Sequence, residues 1–312
     1  VTKLRVLDLF SGIGGFSLGL EAAGGFETVA FCEIEKYPQK VLAKHWPGVP
    51  IYDDVRELTA ERLAADGIRV DVITGGFPCQ DISNAGKKAG IGEGTRSGLW
   101  SEIARLIGEL RPRYAIMENV TALLSGDSGR WFGRVLGDLA ALGYDAEWHC
   151  IPASELGAHH HRDRVWVVAH ASRNRVRQQP GRVGGQGRED SAQPELNGAE
   201  QFVADASSGR CRAAKNREIQ FKRGAETIGP SQNVSDAEEM PNRSRIGESI
   251  KRQIPEFRKS IVGNGGTWAS EPAVGRVANG IPNRAHRLKG LGNAVVPQIP
   301  ELIGRAITDV SQ

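Results

Sequence analysis

The chain has 312 residues, 39% hydrophobic and 25% charged, enough for a sizeable core and not the make-up of a wholly disordered chain; its net charge of +3 does not by itself argue for a nucleic-acid partner. No apolar run approaches the ~20 residues of a membrane span. The start, Val1-Thr2-Lys3-Leu4, has no basic-then-apolar leader, and the scattered Cys32, Cys79, Cys150 and Cys211 form no CxxC pair, so a reducing cytosol is expected and a disulfide framework or cysteine zinc site is disfavoured.

Apolar runs at 4–10, 27–34, 49–53, 69–75, 114–120, 145–151 and 164–171 read as strands. Amphipathic stretches, such as 98–110 and 130–142, lie between several of them. This alternation predicts an α/β fold with a mostly parallel sheet covered by helices on both faces. Ligands of such sheets bind at the carboxyl ends of the strands, so the strand-end loops are where chemistry is sought.

The first strand ends in Asp8-Leu9-Phe10-Ser11-Gly12-Ile13-Gly14-Gly15-Phe16. Glycines at a strand-to-helix turn let the backbone approach a ligand and aim helix N-terminal amides at it. The dinucleotide fingerprint needs a further Gly where Ser17 stands, which disfavours a nicotinamide dehydrogenase. The second strand ends in Glu33, suited to accept both hydroxyls of a ribose. The third ends in Asp53-Asp54-Val55, where a carboxylate can accept from an adenine amino group. Together these three ends describe a nucleoside site without a pyrophosphate cradle. A purely structural tight turn remains the competing reading of the glycines.

The fourth strand ends in Gly75-Gly76-Phe77-Pro78-Cys79-Gln80 and the fifth in Glu118-Asn119-Val120. A lone cysteine is more often a small buried hydrophobe than a nucleophile. Its place at a strand end, after glycines and beside Pro78, favours the second role. Adjacent strand ends would bring Cys79 and Glu118 into one cleft, and a Glu in an apolar run can act as an acid. The run His159-His160-His161 has no metal-ligand spacing, so no metal is expected. Arg162 and Arg164, at alternate positions entering a strand, would share one face that can hold an anion or a carbonyl oxygen, with a surface salt-bridge pair as the competing reading. From 171 to 260 there are 17 Lys/Arg against 12 Asp/Glu, no Trp and three Phe, so a loop-rich, locally basic segment sits beside a near-neutral body.

Together these residues resemble the DNA (cytosine-5) methyltransferase family. The turn at Phe10, then Glu33, Asp54, Pro78-Cys79-Gln80, Glu118-Asn119-Val120, Arg162-x-Arg164 and Gly292-Asn293-Ala294-Val295-Val296-Pro297 occur in that family's order. The resemblance covers about 1–171 and 286–312. It implies a Rossmann-like catalytic domain (1–171) that binds S-adenosylmethionine (AdoMet) and no metal. A small, loop-rich target-recognition domain (172–285) would follow, and a C-terminal segment (286–312) would return to the catalytic domain. It assigns Phe10, Gly12, Gly14, Glu33, Asp54, Val55, Pro78, Leu99 and Asn293 to the cofactor. It makes Cys79, Glu118, Arg162 and Arg164 catalytic, and places Gln80 and Ser83 in a loop that closes over DNA. Cys79 would attack C6 of a flipped-out cytosine, Glu118 would engage N3, Arg164 would hold the base carbonyl, and C5 would take the methyl group.

The implied partner is duplex DNA, with no membrane, and the chain is expected as a monomer located in the cytoplasm and held to the nucleoid through DNA. A restriction-modification setting fits, as does a phage or mobile element. Two departures stand out. His160-His161 replaces the family's usual Gln-basic dipeptide, and the stretch before Gly292 lacks the usual Thr-Pro-Arg-Glu, leaving Arg276, Asn283 and Arg287 as candidate substitutes. A transfer-RNA cytosine methyltransferase and a catalytically silent DNA-binding relative remain the alternatives.

Overall fold

The computed structural model describes residues 2–78, 99–172, 245–263 and 284–311. Seven strands form one sheet: β1 (Leu4–Leu9), β2 (Phe26–Cys32), β3 (Ile51–Tyr52), β4 (Val72–Gly75), β5 (Tyr114–Val120), β6 (Tyr144–Cys150) and β7 (Arg164–Ala171). Their order is β3-β2-β1-β4-β5-β7-β6. The first five are parallel, and β7 runs antiparallel between β5 and β6. The helices are α1 (Gly15–Ala23), α2 (Lys36–His45), α3 (Ala60–Ala65), α4 (Trp100–Leu110), α5 (Ala122–Ser125), α6 (Arg130–Ala141), α7 (Arg245–Gly263), α8 (Arg284–Asn293) and α9 (Gln298–Ser311). This is the expected α/β architecture. The second strand is shorter than the apolar run suggests, so Glu33 and Ile34 lie just past its end, and the third shrinks to two residues.

Alternation along the strands sorts the core into two layers. Leu7, Leu9, Ile73, Met117, Val165 and Val167 pack against Ile103 and Leu106 of α4 and Val135 and Leu139 of α6. On the other face, Val6, Val72, Ile116, Trp166 and Val168 meet Phe16 and Leu20 of α1, Ile246 and Ile250 of α7, and Leu302 and Ile303 of α9. Helix α7, although it lies in the compositionally loop-like stretch, thus belongs to the core of the sheet. Ser249 donates to Asp309 Oδ2 at 2.8 Å, and the Gly247 amide donates to Glu147 Oε2 at 3.1 Å, tying α7 to α9 and β6.

The C-terminal segment returns against α1 at backbone distance. A Cβ at Gly15 would stand 2.5 Å from the Val295 carbonyl oxygen, and one at Gly19 would collide with the Pro297 carbonyl. Glycine at both positions is therefore a packing requirement.

A fully buried carboxyl group with its hydroxyl partners interrupts the α1-facing layer. Asp8 is fully buried, and its carboxylate accepts from Ser17 Oγ of α1 at 2.7 Å and Thr74 Oγ1 of β4 at 2.8 Å. Burial pushes its pKa up to about 7, with the hydroxyl donors opposing. A folded-state pKa above the unfolded one means that Asp8's contribution to stability is full below its ordinary 3.8 and is lost as pH rises through about 7. The displacement corresponds to roughly 4 kcal/mol at most. Asp8→Asn should therefore gain in melting temperature relative to the native chain between pH 5 and pH 8. Thermal melts across that range check this, and a constant difference would contradict it.

Candidate active site

The glycine turn begins where β1 ends. The Ser11 amide donates to the Cys32 carbonyl at 3.2 Å, and Gly14 N to the Ser11 carbonyl at 2.8 Å. Phe10, Gly12 and Gly14 all take left-handed backbone, with φ of 53°, 54° and 87°. A Cβ at Gly14 would strike the Trp46 ring, whereas one at Gly12 would meet nothing within 4 Å. Gly14 is thus glycine for packing as well as conformation. Gly12 faces open space.

That open space adjoins Glu33. This buried carboxylate accepts from the Gly12 amide at 2.7 Å and the Glu35 amide at 2.8 Å, one bond to each oxygen. Burial pushes its pKa up against the pull of those amides. Each oxygen still has acceptor capacity for a ligand hydroxyl. Beside it, Ile34 is 60% exposed, an apolar side chain presented at a strand end. Sequence reading passed over this residue; its signal is a large aliphatic group directly after the acidic one. Carboxylate, open glycine and exposed isoleucine together suit a flat, hydroxylated ligand such as a nucleoside.

Asp54 is next along this edge. Its carboxylate is held by Arg56 through Nη2 at 2.6 Å and Nε at 3.0 Å, which draws its pKa down. Val55 is buried in the core, with its carbonyl accepting from Arg105 at 3.0 Å. Burial, with the charges of Asp54 and Glu33 adding to it, pushes the Cys32 thiol up to about 12 and leaves it an inert core group. Leu99, half-buried against the core, leads into α4. Asn293, exposed at the end of α8, arrives from the far end of the chain.

The second wall is formed by β4, β5 and β7. Glu118 is 13% exposed in its side chain, and Arg164 Nε contacts its Oε1 at 2.8 Å. Burial pushes the carboxyl pKa up, and the charges of Arg164 and then Arg162 resist. A Cβ at Gly76 would come within 3.3 Å of Glu118 Oε2, so a small residue there leaves the carboxyl room. Asn119, buried, donates from Nδ2 to the Phe77 carbonyl at 3.2 Å and accepts the Val120 amide at 2.9 Å. It pins the backbone just before half-buried Pro78, a role not visible from residue type alone.

Arg162 departs from expectation. Strand β7 starts at Arg164, and Arg162 has a left-handed φ of 45°, so strand alternation does not reach it. Its guanidinium instead donates to the Gly292 carbonyl at 3.0 Å and the Ala294 carbonyl at 2.6 Å. Cys79, Gln80 and Ser83 lie outside the described residues. Among the described residues, no cluster of His, Cys, Asp or Glu is placed to hold a metal ion.

The sheet, five parallel strands with β7 reversed beside them, is Rossmann-like. The family model for C-5 cytosine-specific DNA methylases matches residues 4–263, and the chain belongs to that family. The type II methyltransferase M2.BsuMI of Bacillus subtilis (strain 168) is 38% identical over 170 residues, covering 53% of this chain and 42% of the relative. M1.ScrFI of Lactococcus lactis subsp. cremoris is 35% identical over 166 residues, covering 53% and 41%. The chain thus spans less than half the length of these curated relatives. A solved structure described as a putative DNA modification methyltransferase encoded within an Escherichia coli prophage is 29% identical, with a TM-score of 0.47 over 54% of this chain and 47% of that one.

The Glu118–Arg164 pair makes a specific prediction. Arg164→Met removes the nearer of the two cations that oppose burial, so the Glu118 pKa should rise further and the carboxyl should stay protonated at pH values where the native one ionises. An infrared titration of the buried carboxyl band, compared with Glu118→Gln as a blank, reads this directly. An unmoved titration would show that the pair exerts no control.

Proposed function

We propose that the chain transfers a methyl group from AdoMet to C5 of a cytosine in duplex DNA. The observation that carries this reading is the buried Glu118 carboxyl, pushed upward in pKa yet gripped by Arg164, at the end of the strand beside the Gly76-Phe77-Pro78 turn. A carboxyl that holds its proton above the usual range can donate to a ring nitrogen of a base. The adjoining guanidinium can hold that base's carbonyl oxygen. Cys79, which directly follows Pro78, then supplies the thiolate that attacks C6. Attack makes C5 nucleophilic, and loss of the C5 proton after methylation lets the thiolate leave. The base must leave the duplex to enter such a cleft.

Phe10, Gly12, Gly14, Glu33, Asp54, Val55, Pro78, Leu99 and Asn293 would line the AdoMet site. Bound AdoMet supplies an electrophilic methyl group. Glu33 fixes its ribose hydroxyls, and Ile34 offers an apolar face to its base. The DNA-reading part of 172–285 is assigned to the stretches on either side of α7, because α7 itself packs into the body through Ile246, Ile250 and Phe257. Gln80 and Ser83 belong to the DNA-facing loop.

DNA carrying 5-fluorocytosine at the target tests the covalent step. Fluorine cannot leave as the proton does, so a denaturant-stable protein–DNA adduct should accumulate with the native chain and be absent with Cys79→Ala. Glu118→Gln should lower methylation by roughly 10²–10⁴-fold while DNA and AdoMet still bind. An adduct formed equally by Cys79→Ala would remove the nucleophile assignment. Glu33→Ala should weaken AdoMet binding roughly 10- to 150-fold by calorimetry, the worth of charge-assisted hydrogen bonds. Unchanged affinity in a folded variant would remove Glu33 from the site.

A further inference from the structure

Arg162 is bound to a segment 130 residues further along the chain. Its two carbonyl acceptors, Gly292 and Ala294, flank Asn293, so the planar guanidinium bridges the backbone on either side of that residue. A guanidinium presents its donors in a fixed fork, which a lysine ammonium cannot reproduce. The opposite side of the same segment is fixed too. The Val295 carbonyl and Cβ press on Gly15 of α1, and the Pro297 carbonyl presses on Gly19. One turn earlier, Lys289 of α8 pairs with Glu35 at 2.6 Å, and the Glu35 amide in turn holds Glu33. His286 stacks on Tyr37 of α2, with ring centroids 5.7 Å apart. The strap 286–297 therefore touches the glycine turn's helix, the Glu33 loop and, through Arg162, the wall that carries Glu118 and Arg164.

We infer that Arg162 is a positioning residue: it clamps the Gly292–Ala294 backbone so that Asn293 completes the cofactor wall, joining that wall to the base-facing pair Glu118 and Arg164. The inference rests on the AdoMet reading given above. It separates the two arginines of the Arg162-x-Arg164 pattern, one acting toward the base and the other toward the strap. The backbone explains the division. Arg164 lies in the strand and points along the α1-facing layer with Glu118, while the left-handed turn at Arg162 sends its side chain sideways to the strap. Burial and the neighbouring charge of Arg164 both pull the Arg162 pKa down, so the two carbonyl acceptors compensate a cation held in an unfavourable place.

The test compares Arg162→Met and Arg162→Lys with the native 312-residue chain. Hydrogen exchange without any ligand should show faster exchange of amides 290–296 in Arg162→Met, with β5 and β7 protection retained. AdoMet affinity by calorimetry should fall by about tenfold or more in Arg162→Met, with only partial recovery in Arg162→Lys. In steady state, KM for AdoMet should rise by a larger factor than any change in kcat or in KM for DNA. Unaltered exchange in 290–296 would overturn the clamp. So would unchanged AdoMet affinity accompanied by weakened DNA binding, which would put Arg162 at the base or a phosphate. If the native chain binds no AdoMet, the cofactor reading fails on its own terms, and the exchange measurement still decides whether the strap is clamped.

Discussion

A carboxylate in an apolar sheet needs a cation or a proton, and the direction of β7 decides which is at hand for Glu118. Because β7 runs antiparallel to β5, its first residues lie beside the last residues of β5, with Val120 opposite Arg164 and Glu118 opposite Trp166. A parallel β7 would carry its entry arginine to the far edge of the sheet. The reversal also brings the 151–163 connection across the carboxyl end of the sheet, where Arg162 can meet the returning C-terminal strap. The rest of the site is arranged around this pairing: Gly76 leaves the carboxyl room, and Asn119 braces the neighbouring loop.

Three carboxylates are buried along this edge, and each is satisfied by a different chemistry. Asp8 relies on two hydroxyls, Glu33 on two backbone amides and Glu118 on a guanidinium. Burial raises the pKa of all three. Asp8 joins β1, α1 and β4, and through them it holds the glycine turn in register with the strand that leads to Pro78. Glu33 organises its own loop while keeping acceptor capacity toward open space. The two walls of the cleft are thus tied together beneath the site by Asp8 and above it by the strap.

Much of this was legible in the sequence because strand ends are marked by abrupt changes of residue type. Apolar runs that stop at glycine or acid placed Glu33, the glycine turn and Glu118 correctly at the carboxyl edge. What was not legible depended on backbone conformation or distant packing. Nothing in Arg162-Asp163-Arg164 says that the first arginine is left-handed, so an alternation rule was extended one residue pair too far. Helix α7 was masked by polar neighbours, although Ile246, Ile250 and Phe257 carry a helical spacing that a narrower window would detect. Asp8 stood in plain sight as an acid inside an apolar strand, and its partners, Ser17 and Thr74, are nine and 66 residues away.

The anchoring of α7 has a consequence for the length of chain between Ser172 and Arg245. Ala171 lies opposite Tyr144 on β6, while Gly247 is hydrogen-bonded to Glu147, three positions along the same strand. At about 3.3 Å per residue the two contacts are offset by roughly 10 Å along β6. An excursion whose ends leave a rigid body that close together can be lengthened at small entropic cost, since closure grows only with the logarithm of loop length. The sheet body is thereby closed at this edge, since β7 and α7 both bear on β6 whatever the length of chain between them.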